Sequence, residues 1–306
     1  RRAGVEIRVN RTVTALDAQQ GRIAGVAHRA SDAASTDDSG LERIAAGAVI
    51  VTTGGATYPA TGSTGDGYVL AKAMGHRIVP PRPALVPLRI EPELLSRLQG
   101  LHLKNVQATV QVNGKNGQNQ FGEIEFISSG LSGPVILTLS RSAAEALEAE
   151  KSVFISIDLK PGLEAAKLDA RLVRDLRSRG KEDLQSILRG LLPAQLIPVC
   201  LQQCGLSGAK PGNQITADER LQVRLWLKNF RIPITGTGTM DEAIVTAGGV
   251  DTREIDPRTM ESRLVSGLIF AGEVLDLCAD TGGFNLQAAF STGWMAGRGQ
   301  KTDGRG

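Results

Sequence analysis

An α/β protein, its parallel sheet split by a long inserted α+β domain, is what this sequence predicts on three observations. Two short β-branched runs, Val49-Ile50-Val51-Thr52-Thr53-Gly54-Gly55 and Ile269-Phe270-Ala271-Gly272-Glu273, read as strands buried on both faces of such a sheet. The segment between them changes character, passing from strand-like alternation to helical periodicity. A helix opened by Thr281-Gly282-Gly283 closely follows the second run.

From the start of the chain, Val5 to Val9 and Thr12 to Leu16 alternate apolar and polar residues as strands do. Gln19 to Arg22 reads as a turn and Ile23 to Ala27 as the return strand. Ala30 to Gly40, rich in Ser, Asp and Ala, reads as a surface loop before the first glycine-ended run. The Ser/Thr/Asp cluster in Thr61 to Gly67 suits an N-cap, and Gly75 suits the left-handed residue past the end of a helix from Tyr68 to Met74. Pro80-Pro81-Arg82-Pro83 then reads as a stiff linker and marks a domain boundary. The sheet domain therefore takes residues 1–82 and 233–306, and the β-rich plus helical insert takes 83–232.

Within the insert, strands are expected at Ala108–Val112, Glu123–Ile127 and Val153–Leu159, and helices at Ala165–Ser178 and Asp183–Leu192. Leu168, Leu172 and Leu176 mark one helical face. From Lys160 to Arg231 basic residues outnumber acidic ones by about six, which matters for partner choice or simply marks a solvated face. The last helix should run to about Gly297, with a frayed, charged tail beyond Arg298. The start at Arg1-Arg2-Ala3 has neither an initiator Met nor an apolar stretch, so it reads as internal, with residues missing upstream.

Composition narrows the function. A net charge of +3 gives no whole-chain argument for nucleic acid, and 4% aromatic residues weaken a base-stacking platform. The absence of a long apolar run speaks against a membrane span. Three cysteines argue against a disulfide framework and make a reducing cytoplasm the default. Cys200 and Cys204, four apart, lack redox-dithiol spacing and read as a buried, inert pair. His28, His76 and His102 show no metal-ligand spacing, and His76 is expected to complement the end of the preceding helix. No Ser/His/Asp order and no paired carboxylates stand out.

In open α/β sheets ligands bind outside the carboxyl ends of strands, and glycine there removes the Cβ that would block them. Thr53, Gly54, Gly55, Gly272 and Glu273 are candidates on that ground. Each run alone could be an ordinary strand-to-loop turn; together they point to a cofactor site. The final helix opens through Gly282, Gly283, Phe284, Asn285 and Leu286, offering free N–H groups and the positive end of its dipole. A reduced flavin, negative around N1 and C2=O, would be stabilised there. The bland alternative is a capped, small-residue helix packed on a sheet.

Several blocks carry a resemblance. Val51 to Pro59, Thr61 to Tyr68, Gly75-His76, Pro83 to Leu88, Gly130 to Pro134, Val245 to Val250, Phe270 to Asp276 and Thr281 to Gln287 occur in one order over nearly the whole chain. They resemble the HI0933-like (YhiN/BaiN-like) family of bacterial flavoproteins. That resemblance implies a glutathione-reductase-type FAD/NAD(P)-binding fold, incomplete here, with the inserted domain. It makes Glu273 the acceptor for ribityl or ribose hydroxyls, Gly283 to Leu286 the backbone cradle for the isoalloxazine, and Val13 the residue whose backbone meets adenine.

There are departures. The family opens with a strand, a Gly-x-Gly-x-x-Gly turn and a helix, all absent here, and Gly236-x-Gly238 is no substitute. Ser128-Ser129 stands where many members carry Thr-His. The expectation is an FAD-dependent oxidoreductase, reduced by NAD(P)H and reducing a small molecule or nucleobase with an activated C=C or C=O. Its substrate would enter beside the insert. The alternatives are a flavin oxidase of a small amine or ketone, a plain NAD-binding dehydrogenase, and a truncated, non-catalytic homologue that binds a partner such as RNA. Catalytic acid and base and oligomeric state stay open.

Overall fold

The computed structural model describes residues 4–31 and 40–299. The expectations for Arg1 to Ala3, for most of the Ala30–Gly40 loop and for the end of the tail lie outside the described residues. The chain folds as two compact units, Arg1–Ala84 with Met240–Gly306 and Leu85–Thr239.

The first unit opens with a hairpin of β1 (Arg11–Gln19) and β2 (Arg22–Ala30), and β3 (Glu42–Ala45) joins β2 to make a three-stranded antiparallel sheet. Gln20 and Gly21, at φ 51° and 75°, make the turn. Val5 to Val9 is not the expected strand: Val5, Ile7 and Val9 are 60–72% exposed. Alternation makes a strand only where a neighbouring strand takes up its backbone groups. The run before Gly54 forms β4 (Val49–Val51). Ile50 is 40% exposed, so burial on both faces does not hold.

Helix α1 (Asp66–Ala73) starts at Gly65 in a left-handed conformation, without the expected Ser/Thr/Asp side-chain cap. It buries Tyr68, Leu70 and Ala71. The proline run is not a linker. It lies in β5 (Ile78–Ala84), a strand that pairs only with one neighbour among the described residues, so prolines forfeit no ladder bond on its other side.

In the second unit β6 (Leu88–Arg89), α2 (Pro92–Leu98) and the long hairpin of β7 (His102–Val112) and β8 (Lys115–Ile127) come first. Next follow β9 (Gly130–Ser132), α3 (Pro134–Glu148) and β10 (Val153–Asp158). Helices α4 (Ala165–Ser178), α5 (Leu184–Leu188), α6 (Leu196–Gln203) and α7 (Ala217–Lys228) lead to β11 (Phe230–Pro233) and β12 (Gly236–Thr237).

The strands form one seven-stranded antiparallel sheet in the order β11-β10-β7-β8-β9-β6-β12. Helix α3 packs on β7 and β8. Leu168, Leu172 and Leu176 are the buried stripe of α4, as their spacing predicts. Local signals set two other helix starts: Asp183 accepts from Ser186 N–H, and Thr216 and Glu219 form a capping box.

The chain then completes the first unit. β13 (Val245–Val250) pairs antiparallel with β5, and β14 (Leu268–Phe270) pairs with β4 in parallel. Helix α8 (Phe284–Gly299) closes the described chain. The architecture is thus mixed α/β with a large antiparallel sheet, and among the described strands parallel ladder pairing is confined to β4 and β14. No helix among the described residues is long and apolar enough to cross a membrane.

Candidate functional site

Because β4 and β14 run parallel with Phe270 opposite Val51, the segments after them leave in the same direction. The N–H of Ala271 reaches the carbonyl of Val51 at 3.1 Å and carries the pairing one step further. Beyond that point Gly55 is buried, and a Cβ on it would overlap Thr246 Oγ1 and Glu273 Oε1. Glycine here is a requirement of close approach.

Glu273 Oε1 accepts from the backbone N–H of Thr246 at 2.8 Å and from the Thr57 hydroxyl at 3.4 Å. Thr246 Oγ1 in turn accepts from Ala56 N–H at 2.8 Å. Thr246 and Thr57 are almost fully buried. Among the described residues Glu273 Oε2 has no partner, so the carboxylate is anchored by one oxygen and free at the other.

Tyr68 of α1 is buried, and neither its hydroxyl nor that of Thr53 has a partner among the described residues. Burial and then the Glu273 charge push the Tyr68 phenol up to about 12; the Thr246 hydroxyl, near it but not in hydrogen-bonding geometry, pulls the other way. These unpaired groups are unusual, since buried polar groups are normally hydrogen-bonded.

Helix α8 supplies the second part. Gly282 and Gly283 are left-handed at φ 111° and 89°, and the bond from Gln287 N–H to Gly283 O at 2.9 Å opens the helix. No neighbour crowds Gly283, so it is the backbone conformation that selects glycine there. The N–H groups before Gln287 precede that first helical bond and are the helix's unspent donors. The Asn285 side chain is used in the turn: its Oδ1 accepts from Ala279 N–H and its Nδ2 donates to Ala279 O, both at 2.8 Å. Gly272 N–H donates to Thr292 Oγ1 at 2.9 Å, fastening the end of β14 to α8. Phe284, Leu286, Phe290 and Trp294 are 60–70% exposed along α8.

The structure therefore gathers Thr53, Gly54, Gly55, Gly272 and Glu273 at the ends of two paired strands and fastens α8 there through Thr292, about two turns beyond Gly282 to Leu286 at its start. Val13 lies on β1, opposite His28 and 37% exposed. Thr57, Tyr68 and Thr246 were missed by sequence reasoning. No spacing rule links them to Glu273, although each lies within or beside a block that carries the resemblance.

Another arrangement was also hidden. His76 Nδ1 lies 2.9 Å from Glu254 Oε2 and its Nε2 lies 2.8 Å from Ser262 Oγ. The ring thus has specific partners and does not simply complement a helix end. The order resembles a catalytic triad, but Ser262 is buried and its Oγ already accepts from Leu264 and Val265 N–H, so it serves as a clasp. Cys200 and Cys204 are free, and hydrogen bonding with Cys204 together with burial pushes the Cys200 thiol far up, away from reactivity. In the second unit many cations are paired: Arg171 and Arg174 with Asp175, Arg220 and Arg224 with Asp169, Lys210 with Glu219, and Lys228 with Asp158.

Comparison with known proteins adds to this geometry. The HI0933-like protein barrel and H2TH domain matches residues 82–245. The chain is 32% identical over 257 residues to the 3-dehydro-bile acid delta(4,6)-reductase of Clostridium scindens, covering 84% of this chain and 63% of that protein. It is 32% identical over 246 residues to the ribosomal RNA dihydrouridine synthase of Escherichia coli, covering 80% and 58%. The protein of that name from Haemophilus influenzae is 32% identical over 251 residues, again covering 80% and 58%. The chain spans about three fifths of the length of these curated relatives.

Proposed function

This chain belongs to the HI0933-like family, and from that premise we propose that the intact protein is an FAD-dependent reductase of activated carbon–carbon double bonds, with NAD(P)H as electron donor. One observation carries the reading most directly: the Glu273 carboxylate, at the end of β14, is anchored by one oxygen to Thr246 and Thr57 and free at the other. Gly55 permits that anchoring, because a Cβ at position 55 would collide with Thr246 Oγ1 and with the anchored oxygen of Glu273. Helix α8, whose start carries unspent N–H groups, is fastened to the same strand end through Thr292.

These features fit FAD in a glutathione-reductase-type domain. Glu273 would accept from a ribityl or ribose hydroxyl, and Gly283 to Leu286 would present backbone donors and the helix dipole to the electron-rich edge of the isoalloxazine. The bound flavin supplies the two-electron chemistry. Thr53, Gly54 and Gly272 would let backbone approach the ligand closely, and Val13 would offer its backbone to the adenine. The free thiols favour a reducing cytoplasm.

The relatives' names describe a delta(4,6)-reductase and a dihydrouridine synthase, and both reactions add hydrogen across a carbon–carbon double bond. Two acceptors follow, a small enone or a uracil ring in RNA. The two dihydrouridine synthases favour the second. The test is anaerobic reduction of the complete gene product by NADPH, followed by addition of a steroid enone or of a uridine-containing RNA. Reoxidation by either supports the proposal and identifies the acceptor class. Reoxidation by dioxygen alone favours the oxidase alternative, and absence of a bound flavin favours the non-catalytic one.

A further inference from the structure

We propose that the outer face of α4, in the second unit, binds the phosphate backbone of RNA. The inference rests on the RNA branch of the proposed function and assigns that acceptor a docking surface. Charge is divided unevenly along the second unit. Residues 85–159 hold six Lys and Arg against eight Asp and Glu, whereas residues 160–231 hold thirteen against seven. The basic excess therefore belongs to the helical half.

Helix α4 concentrates that excess on one side. At about 3.6 residues per turn, Leu168, Leu172 and Leu176 take the side that is buried. A sector of about 120° away from them holds Lys167, Ala170, Arg171, Arg174, Arg177 and Ser178, four cations and no carboxylate. Successive cations there are three or four residues apart, hence about 5–6 Å, close to the spacing of phosphates along a folded RNA strand. Both carboxylates of the helix lie outside the sector, and each is shared by two arginines. Asp169 serves Arg220 and Arg224, and Asp175 serves Arg171 and Arg174. Lys167 and Arg177 are exposed and make no ion pair among the described residues.

The chemistry of the face selects among polyanions. Three of its four cations are arginines, whose planar fork gives a phosphate two parallel N–H bonds. A membrane contact would need large apolar side chains beside the cations, and this sector has none. It has no aromatic ring to stack a base either, so the contact is to the backbone and independent of sequence.

The test is fluorescence anisotropy of a labelled RNA hairpin titrated with the complete gene product at several salt concentrations. Lys167→Glu combined with Arg174→Glu and Arg177→Glu should weaken binding by about tenfold or more. Its slope of log affinity against log salt should shrink by about two to three, because three phosphate contacts are lost. Lys104→Glu combined with Lys115→Glu and Lys151→Glu changes the net charge equally at exposed positions of the acidic half. That control should bind within about twofold of wild type, since distant exposed charges are screened. Both triple variants should retain flavin as wild type does. If the reversed triple melts early, Gln at the same three positions keeps the helix and removes the charge alone.

Unchanged binding by the α4 variants, or equal losses in the two triples, overturns the proposal. So does attachment to phosphatidylserine vesicles through α4 without binding of the hairpin, which would make the face a membrane contact. Retained flavin with no RNA binding by wild type overturns this inference alone. Protein that lacks flavin yet binds RNA through α4 overturns the flavin reading and leaves this surface in place.

Discussion

Thr246 donates its backbone N–H to Glu273 Oε1 at 2.8 Å, although β13 and β14 belong to different sheets. The same two segments also meet through Val250 N–H to Val274 O and Asp276 N–H to Val250 O, both 2.9 Å. The loop after β14 is thereby laid along β13, and the carboxylate is held at one end of that seam.

Removing the Glu273 side chain should affect fold and ligand differently. Glu273→Ala leaves the buried Thr246 N–H without its acceptor and should cost about 1–3 kcal/mol in urea unfolding. Glu273→Gln keeps an acceptor oxygen for Thr246 and should unfold close to wild type. Both should weaken FAD binding by about tenfold or more, because neither presents a free carboxylate oxygen. Equal stability losses for the two variants would contradict this division of labour.

Gly55→Ala tests the packing around the anchored oxygen. The added methyl would press on Thr246 Oγ1 and Glu273 Oε1, both in anchored positions, so overpacking of about 1–3 kcal/mol is expected. Flavin affinity should fall further than in Glu273→Gln, since the carboxylate must swing away. Gly283→Ala should act through backbone strain, as space around that position is open.

Which parts of this were legible in the sequence follows from how local each signal is. Leu168, Leu172 and Leu176 announce a buried helical stripe because the period lies in the chain itself. The two glycine-ended runs and the Gly282-Gly283 helix start are also local, and the structure pairs the two runs side by side. Val5 to Val9 shows the limit, since alternation cannot report whether a neighbouring strand exists. The prolines of β5 mislead for a related reason: a free edge tolerates them, and edges are decided by tertiary pairing. Thr246, Tyr68 and the His76–Ser262–Glu254 clasp join distant segments, which no periodicity encodes.

Acid stability should depend on Asp251. Hydrogen bonds from Arg253, with help from Arg77, hold its carboxyl well below the ordinary carboxylate range. A depressed folded-state value stabilises the fold above the unfolded value near about 4 and loses that contribution as pH falls below it. Thermal melts of wild type should therefore decline below about pH 4, and Asp251→Asn should be less stable at neutral pH with a shallower acid decline. Parallel acid profiles for the two proteins would count against this role.

At the alkaline end Tyr68 has the opposite sign. Its phenol is pushed up to about 12, so the fold gains relative to the unfolded chain below about pH 10 and loses that gain as pH rises toward the folded value. Absorbance of phenolate should show one tyrosine that ionises only near 12 or on unfolding, and Tyr68→Phe should abolish that step. A full tyrosine titration near the ordinary value in folded protein would contradict the burial argument.

The most direct measurement is the absorbance spectrum of the purified complete gene product beside that of the 306-residue chain, each before and after addition of excess FAD and desalting. The flavoenzyme account predicts retained bands near about 370 and 450 nm in the complete product, lost with Gly55→Ala. A complete product that retains no flavin even after incubation with excess FAD would contradict it and favour a protein that binds its partner without redox chemistry.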